Sequence, residues 1–277
     1  MKKPVKIAII ILVIVLVAGL LWFGSAMFGN PVSHALATRA TKAFLSDRFS
    51  DADYQMERIT YSFKDGWYHA FMTSPTSIDG DFSVSFTMLG EYCYDTYDSV
   101  LDGFNTAQRL NSEYRKLTDT ILNDPALPYD NSQDYSIMFG RLEIYPREAL
   151  DDPNVTDVPA YAIVQDNLEL NKIYDIKELG EQAGHLILHV DNDAISVEEA
   201  ARIILDFRYM FDEADIPFYA MDFVLRHPRT EAGKSDDEEI RINDFLYQDI
   251  YEEGLTDRIE TAIEETASYY AMLDQMK

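Results

Sequence analysis

An uninterrupted apolar segment near the N-terminus constrains this chain more than any other feature. No ionisable residue occurs from Ile7 to Phe28, and three lysines lie within the six residues before it. An α-helix of that length extends about 33 Å, enough to cross the roughly 30 Å hydrocarbon core of a bilayer. Lysines on one side only place the N-terminus in the cytoplasm. The sequence therefore predicts a cytoplasmic tail over 1–6, a transmembrane helix over 7–28 and an extracytoplasmic remainder from about residue 30 onward.

A cleavable signal peptide is the alternative interpretation of this segment. Gly24-Ser25-Ala26 offers small residues at spacings that suit cleavage. The apolar stretch is longer than the roughly 7–15 residues usual for the core of a signal peptide, which favours an uncleaved anchor. Membrane lipid is then the first partner of the chain, and the remainder is exported under either interpretation.

The charge balance excludes one class of partner. Because no acidic residue and only three basic residues occur in the first 30 positions, the rest of the chain carries 20 basic and 49 acidic residues, a net charge of −29. Such a surface repels nucleic-acid phosphates, so we expect no nucleic-acid binding. It attracts cationic ligands or basic envelope proteins, although excess acid also serves solubility alone.

Hydrophobic periodicity predicts an α+β fold with antiparallel sheets. A helix opens at Asn30-Pro31, alternating apolar residues over 54–94 indicate a meander of strands, and a long helix follows over about 95–123. After the turn-forming segment 125–134 the pattern restarts with further strands and a terminal helix over about 252–276. We therefore expect an N-terminal α+β domain over 29–124, a linker over 125–134 and a C-terminal α+β domain over 135–277.

A set of short motifs in the first half resembles a known family. The motifs occur in order as Gly29-Asn30-Pro31, Tyr61-x-Phe63-Lys64-Asp65-Gly66-x-Tyr68, Ser74-Pro75, Asp95-Thr96-Tyr97, Asn105-Thr106-x-x-Arg109-Leu110 and Glu113-Tyr114. Together they resemble the YfjL-like family of uncharacterised membrane-anchored proteins of Gram-positive bacteria, best over residues 29–122. The resemblance implies a membrane helix followed by exported N-terminal and C-terminal domains, and it implies no activity.

No linear sequence motif identifies a catalytic, metal-binding or cofactor-binding residue. His185 and His189 fall on a predicted strand, where residues four apart are about 13 Å apart and cannot share a metal ion. A calcium loop beginning at Asp191 would need Gly at position six and Glu at position twelve, where Ser196 and Arg202 stand. The single Cys93 excludes an internal disulfide, and no nucleophile motif or glycine-rich phosphate loop is present.

Asn105 and Arg109 form the one polar pair that the sequence singles out. They lie one helical turn apart and share a face of the predicted helix. The pair either faces a ligand or fixes the helix to the adjacent sheet through hydrogen bonds.

These observations favour a non-catalytic, extracytoplasmic binding or interaction module of the cell envelope. The alternative is an envelope-associated hydrolase whose site is assembled from scattered histidines and carboxylates. A cleft that gathers His69 or His185 with carboxylates of perturbed pKa would favour the hydrolase. A shallow aromatic patch without convergent titratable groups would favour the binding module.

Overall fold

The computed structural model describes residues 3–129, 137–152, 155, 158–228 and 238–275. The chain divides into two compact units: the first comprises 1–106 with 169–171, and the second 107–168 with 172–277. Each unit combines helices with a β-sheet, so the predicted α+β class is confirmed.

The first unit begins with the apolar helix and continues with a helix packed on a four-stranded sheet. Its elements in chain order are α1 (Lys3–Phe28), α2 (Pro31–Arg48), β1 (Gln55–Ser62), β2 (Trp67–Ser74), β3 (Ser77–Phe86), β4 (Tyr92–Asp95) and α3 (Asp98–Leu101). The strands follow one another in the order β1-β2-β3-β4, and every neighbouring pair is antiparallel, as the alternation of apolar residues predicts.

Helix α2 starts where the sequence predicts it. The Asn30 side chain accepts a hydrogen bond from the Ser33 backbone N–H, and Pro31 occupies the first helical position, an arrangement that satisfies one free donor at the helix start. Apolar residues of α2, among them Phe44, pack on the inner face of the sheet against Met72 and Val84.

The single long helix expected over 95–123 is wrong in its first third. Two helices occur instead: α3, and α4 (Phe104–Leu122). Gly103 separates them with a φ of 80°, a left-handed conformation that interrupts a right-handed helix and that glycine adopts without steric cost. The division between the two units falls inside α4. The expected linker over 125–134 includes residues outside the described ones, and it stays a prediction.

The second unit contains a mixed four-stranded sheet. Its further elements are β5 (Met138–Leu142), β6 (Ile144–Tyr145), α5 (Arg147–Asp151), β7 (Ile163–Val164), α6 (Ile176–Ala183), β8 (Gly184–Asp191), α7 (Val197–Glu213), β9 (Ala220–Arg226), β10 (Glu239–Leu246) and α8 (Leu255–Gln275). The strand order is β10-β9-β8-β5, and β6 pairs with β7 separately.

The central pair of this sheet, β8 and β9, is parallel, whereas both edge strands are antiparallel to their neighbours. Strands β8 and β9 can be parallel because helix α7, which connects them, returns the chain to the end of the sheet at which β8 begins. Alternate residues of β8, namely Leu186, Leu188 and Val190, enter the main core together with α7 and α8. The alternate set of β8, namely His185, Ile187 and His189, therefore faces the other side of the sheet.

Candidate functional site

The structure places Asn105 and Arg109 in separate hydrogen-bond networks. Asn105 Nδ2 donates to the backbone carbonyls of Asp79, at 2.9 Å, and Asp81, at 2.6 Å. Arg109 Nη1 donates to Glu113 Oε1 at 3.0 Å, and Arg109 Nη2 donates to the Lys172 carbonyl at 2.9 Å. The contacts of Asn105 are those of a residue that fixes a helix to a strand, which is one of the two roles expected for the pair.

His69 also has structural partners. Its Nδ1 lies 2.8 Å from Ser85 Oγ, and its Nε2 lies 3.1 Å from Asp65 Oδ2. Cys93 Sγ contacts the Glu91 carbonyl at 3.7 Å, and partial burial raises the pKa of its thiol. Both ring nitrogens of His69 are thus engaged, and a raised thiol pKa disfavours the nucleophilic thiolate.

His185 occupies a different environment, at the start of β8. The side chain is 3% exposed, and it forms one wall of a cleft of about 530 Å³. The other lining residues come from β5, β6 and the residue between them, from β9, β10 and α8, and from the segment before β7; they include Arg141, Glu143, Asp222, Asp244, Tyr269 and Tyr270. Sequence reasoning missed the two aspartates and Glu143 as members of a site with His185.

A backbone irregularity in β10 brings Asp244 to this cleft. The register of β10 against β9 shifts between Ile242 and Phe245, and Asp244 has a φ of 51°. Only a few residue types other than glycine adopt this left-handed conformation readily, and aspartate and asparagine lead them. The Asp244 backbone N–H then donates to Asp222 Oδ1 at 2.9 Å, and the Asn243 N–H donates to Thr266 Oγ1 at 3.1 Å. Bulges of this kind reorient side chains at the edge of a sheet.

Tyr161 determines which nitrogen of His185 carries a proton. The Tyr161 hydroxyl donates to Asp244 Oδ1 at 3.0 Å, and the same oxygen lies 2.8 Å from His185 Nδ1. A phenol has one proton, which is already directed to the carboxylate, so the hydroxyl oxygen accepts the proton of Nδ1. In neutral His185 the lone pair is then on Nε2.

The Nε2 atom of His185 has no hydrogen-bond partner among the described residues, although it is buried. Asp222 Oδ1 lies 3.1 Å from it, but an ionised carboxylate only accepts hydrogen bonds, so neither this oxygen nor the Nε2 lone pair can donate to the other. A buried polar atom without a partner costs about 1–3 kcal/mol, so its position calls for an explanation.

Glu143 adds a third carboxylate beside the same ring. Its side chain is 2% exposed, and Oε1 accepts a hydrogen bond from Arg141 Nε at 2.7 Å. The same oxygen lies 3.3 Å from His185 Nδ1. The guanidinium of Arg141 neutralises this buried carboxylate, whereas Asp222 and Asp244 face His185.

The pKa values of these two aspartates move in opposite directions. The pKa of Asp222 lies below its usual range: burial alone would raise it, and the groups that lower it include the Asp244 backbone N–H and the guanidinium of Arg141. The pKa of Asp244 lies above its usual range, because surrounding protein atoms displace solvent and outweigh the hydrogen bond from Tyr161. Paired titratable groups with opposite pKa shifts are typical of functional sites.

Three of these residues have the geometry to hold a metal ion. One ligand atom each of His185, Asp222 and Asp244 lies within 4.8 Å of the other two. The predicted strand that carries both His185 and His189 is confirmed, and the three possible metal ligands come from neighbouring strands rather than from the histidine pair.

A sequence signal for this site existed in the strands themselves. Asp222 interrupts the otherwise apolar run Ala220-Met-Asp-Phe-Val-Leu225, and His185 interrupts a similar run in β8. A charged residue inside a buried strand is costly unless it is paired or functional. The signal marks each residue singly, and only the strand register shows that they meet.

A second cleft, of about 540 Å³, lies elsewhere in the second unit. Its walls include Phe218 and Tyr247, and a surface ion pair joins Lys177 Nζ to Asp215 Oδ2 at 2.6 Å. Both charges of this pair are substantially exposed. The cleft around His185 is therefore the stronger candidate, because its titratable groups converge at buried positions.

The fold defines a class of protein: an α+β protein with an N-terminal helix long and apolar enough to span a membrane. Among the described residues one helical span passes this test, with a mean hydropathy of 2.6. Family models match as the YfjL-like N-terminal domain over residues 2–95 and the YfjL-like C-terminal domain over residues 113–260. The chain belongs to the YfjL-like family, which confirms the resemblance found in the sequence. No curated protein and no solved structure matches the chain.

Proposed function

We propose that this protein is a membrane-tethered, extracytoplasmic binding module of the cell envelope, and that the cleft around His185 binds a cationic ligand. The observation that carries the proposal is the charge of that cleft. Four carboxylates, those of Glu143, Asp222, Asp244 and Glu265, line it together with one guanidinium, that of Arg141.

Two further features support a cationic ligand. Tyr145, Tyr269 and Tyr270 contribute to the cleft walls, and the faces of aromatic rings attract cations. The net charge of −29 beyond the first 30 residues provides a long-range field of the same sign, which raises the local concentration of cations. Local and global electrostatics thus favour the same class of ligand.

The binding test uses the full chain in lipid nanodiscs. Its melting temperature and binding heat are measured with two sets of cations, namely chlorides of divalent metals and the organic cations spermidine and a trilysine peptide. We expect at least one set to bind, and we expect Glu265→Gln to weaken binding while Glu264→Gln, its exposed neighbour on α8, does not. Absence of binding by every cation in both sets would refute the proposal.

The topology test uses right-side-out membrane vesicles from cells that express the full chain. The apolar helix after three lysines motivates the expectation that external protease digests residues from about 30 onward. Full protection in intact vesicles, together with digestion after the membrane is permeabilised, would place the acidic part in the cytoplasm and contradict the extracytoplasmic assignment.

The opposite pKa shifts of Asp222 and Asp244 favour one second candidate, an envelope-associated hydrolase. In that function Asp244 would hold the proton of a general acid and Asp222 would act as the ionised base. Hydrolysis of purified envelope polymers by the full chain, abolished in Asp244→Asn, would support the enzyme over the binding module. Equal product release from both proteins would remove this candidate.

A further inference from the structure

We propose that the cleft is a site for one divalent transition-metal ion of the zinc class, bound by His185 Nε2 and by carboxylate oxygens of Asp222 and Asp244. This inference rests on the proposed cation-binding function and names its ligand.

The lone pair of His185 is on Nε2. Because Tyr161 Oη accepts the Nδ1 proton while donating to Asp244, the ring presents an unprotonated Nε2. This is the arrangement by which second-shell groups orient metal-binding histidines, since an acceptor on one nitrogen fixes the tautomer that ligates through the other. Nε2 is buried and has no hydrogen-bond partner in the described part of the chain.

The spacing of the donor atoms suits a single ion. An Nε2 lone pair 3.1 Å from a carboxylate oxygen is repulsive unless a positive charge lies between them. Around tetrahedral zinc, with ligand bonds of about 2.1 Å, adjacent donor atoms are about 3.4 Å apart. The distance of 3.1 Å from Nε2 to Asp222 Oδ1 is close to this value, and one donor atom from each of the three residues lies within 4.8 Å of the other two.

The side chain of Asp244 must approach the ion. Its side chain is 59% exposed, whereas that of His185 is 3% exposed, so it can rotate without disturbing the core. The bulge at Asn243-Asp244 fixes its backbone beside Asp222 through the 2.9 Å hydrogen bond. The side chains of His185 and Asp222 are therefore already positioned as ligands, and the Asp244 side chain rotates to bind the ion.

The ligand types select the class of metal. Calcium and magnesium prefer sites made only of oxygen ligands, whereas an imidazole nitrogen suits zinc and its transition-metal neighbours. Three protein ligands leave a fourth coordination position, as in open zinc sites. A proton instead of a metal is the competing explanation, because a doubly protonated His185 would also neutralise the surrounding carboxylates.

The test uses the full chain in nanodiscs after chelator treatment, with Zn²⁺ and Co²⁺ as probes. We expect one Zn²⁺ per chain and, for Co²⁺, the intense visible absorption of a four-coordinate site. His185→Gln and Asp244→Asn should each lower Zn²⁺ affinity at least 100-fold. Asp244→Asn keeps a residue that tolerates the left-handed backbone, so the fold is retained even if His185→Gln is unstable.

The supporting role of Tyr161 gives an independent readout. Tyr161→Phe removes the hydroxyl that orients His185 and should lower Zn²⁺ affinity about 10–100-fold, the usual effect of losing a second-shell partner. His189→Gln, on the same strand, and Asp193→Asn, at an exposed position, serve as controls and should bind Zn²⁺ like the wild type.

The outcomes separate this inference from the proposed function. Binding of spermidine or trilysine without Zn²⁺ would overturn the metal site and leave the cationic cleft standing. Zn²⁺ binding that is unchanged in both His185→Gln and Asp244→Asn would place the metal elsewhere and also overturn the inference. Absence of all cation binding would refute both proposals.

Discussion

Replacing Asn105 tests whether this residue fixes the start of α4 to the first sheet. Asn105→Ala removes two hydrogen bonds, to the carbonyls of Asp79 and Asp81. At about 0.5–1.5 kcal/mol for each, the loss is about 1–3 kcal/mol. For a unit of roughly 100 residues a loss of about 2 kcal/mol lowers the melting temperature by about 8–16 °C.

Asn105→Asp sharpens the prediction, because it keeps the shape of the side chain and replaces the donor with a carboxylate. A carboxylate facing two carbonyl oxygens is repulsive, so this variant should be at least as destabilised as Asn105→Ala. Both tryptophans, Trp22 and Trp67, belong to the first unit, so tryptophan fluorescence during urea unfolding reports on the relevant unit.

Gln108→Ala is the matched control, since Gln108 is an exposed amide on the same helix and should change the unfolding free energy by less than about 0.5 kcal/mol. A loss below about 0.5 kcal/mol in both Asn105 variants would show that the two hydrogen bonds do not stabilise the first unit. Contact with a ligand would then be the remaining role for Asn105.

Three further predictions concern the second unit. Phe207→Ala, at a fully buried core position, should reduce the unfolding free energy by about 3–5 kcal/mol, measured by circular dichroism; a loss under 1 kcal/mol would contradict the packing. Gly184→Ala would push a methyl group against Tyr114 Oη and the Gly180 carbonyl, and we expect a loss of about 1–3 kcal/mol together with weaker cation binding, measured by calorimetry on the same sample. Burial lowers the pKa of His189 below its ordinary value of 6.5 in the folded chain. As the pH falls through about 6.5, the unfolded chain therefore binds a proton at His189 more readily than the folded chain does, and the folded state loses stability. His189→Gln should therefore reduce the difference in stability between pH 7 and pH 5, and an unchanged difference would contradict this assignment.

Elements with a strong local signal could be predicted from the sequence. The apolar segment before Phe28, the capped helix after Asn30 and the alternating strands over 54–94 each carry their periodicity in consecutive residues. The break at Gly103 was missed because the apolar stripe continues on both sides of it, and a single glycine inside a helical pattern does not by itself end a helix. For these elements the local pattern thus predicted the type of structure better than its boundaries.

The candidate site depended on information that the sequence does not contain locally. His185, Asp222 and Asp244 come from three strands, and they meet through the parallel register of β8 with β9 and the bulge in β10. Strand pairing is determined by the packing of the whole unit rather than by any single strand. The sequence could identify His185 as a candidate site residue, but it could not identify the carboxylates that surround it.

Calorimetric titration of Zn²⁺ into the full chain, with Asp244→Asn and Asp193→Asn titrated in parallel, measures whether the cleft around His185 binds a metal ion. We expect one saturable site in the wild type and in Asp193→Asn, and an affinity at least 100-fold lower in Asp244→Asn. The same affinity in all three proteins, or no binding in the wild type, would contradict the assignment of the His185 cleft as a metal site.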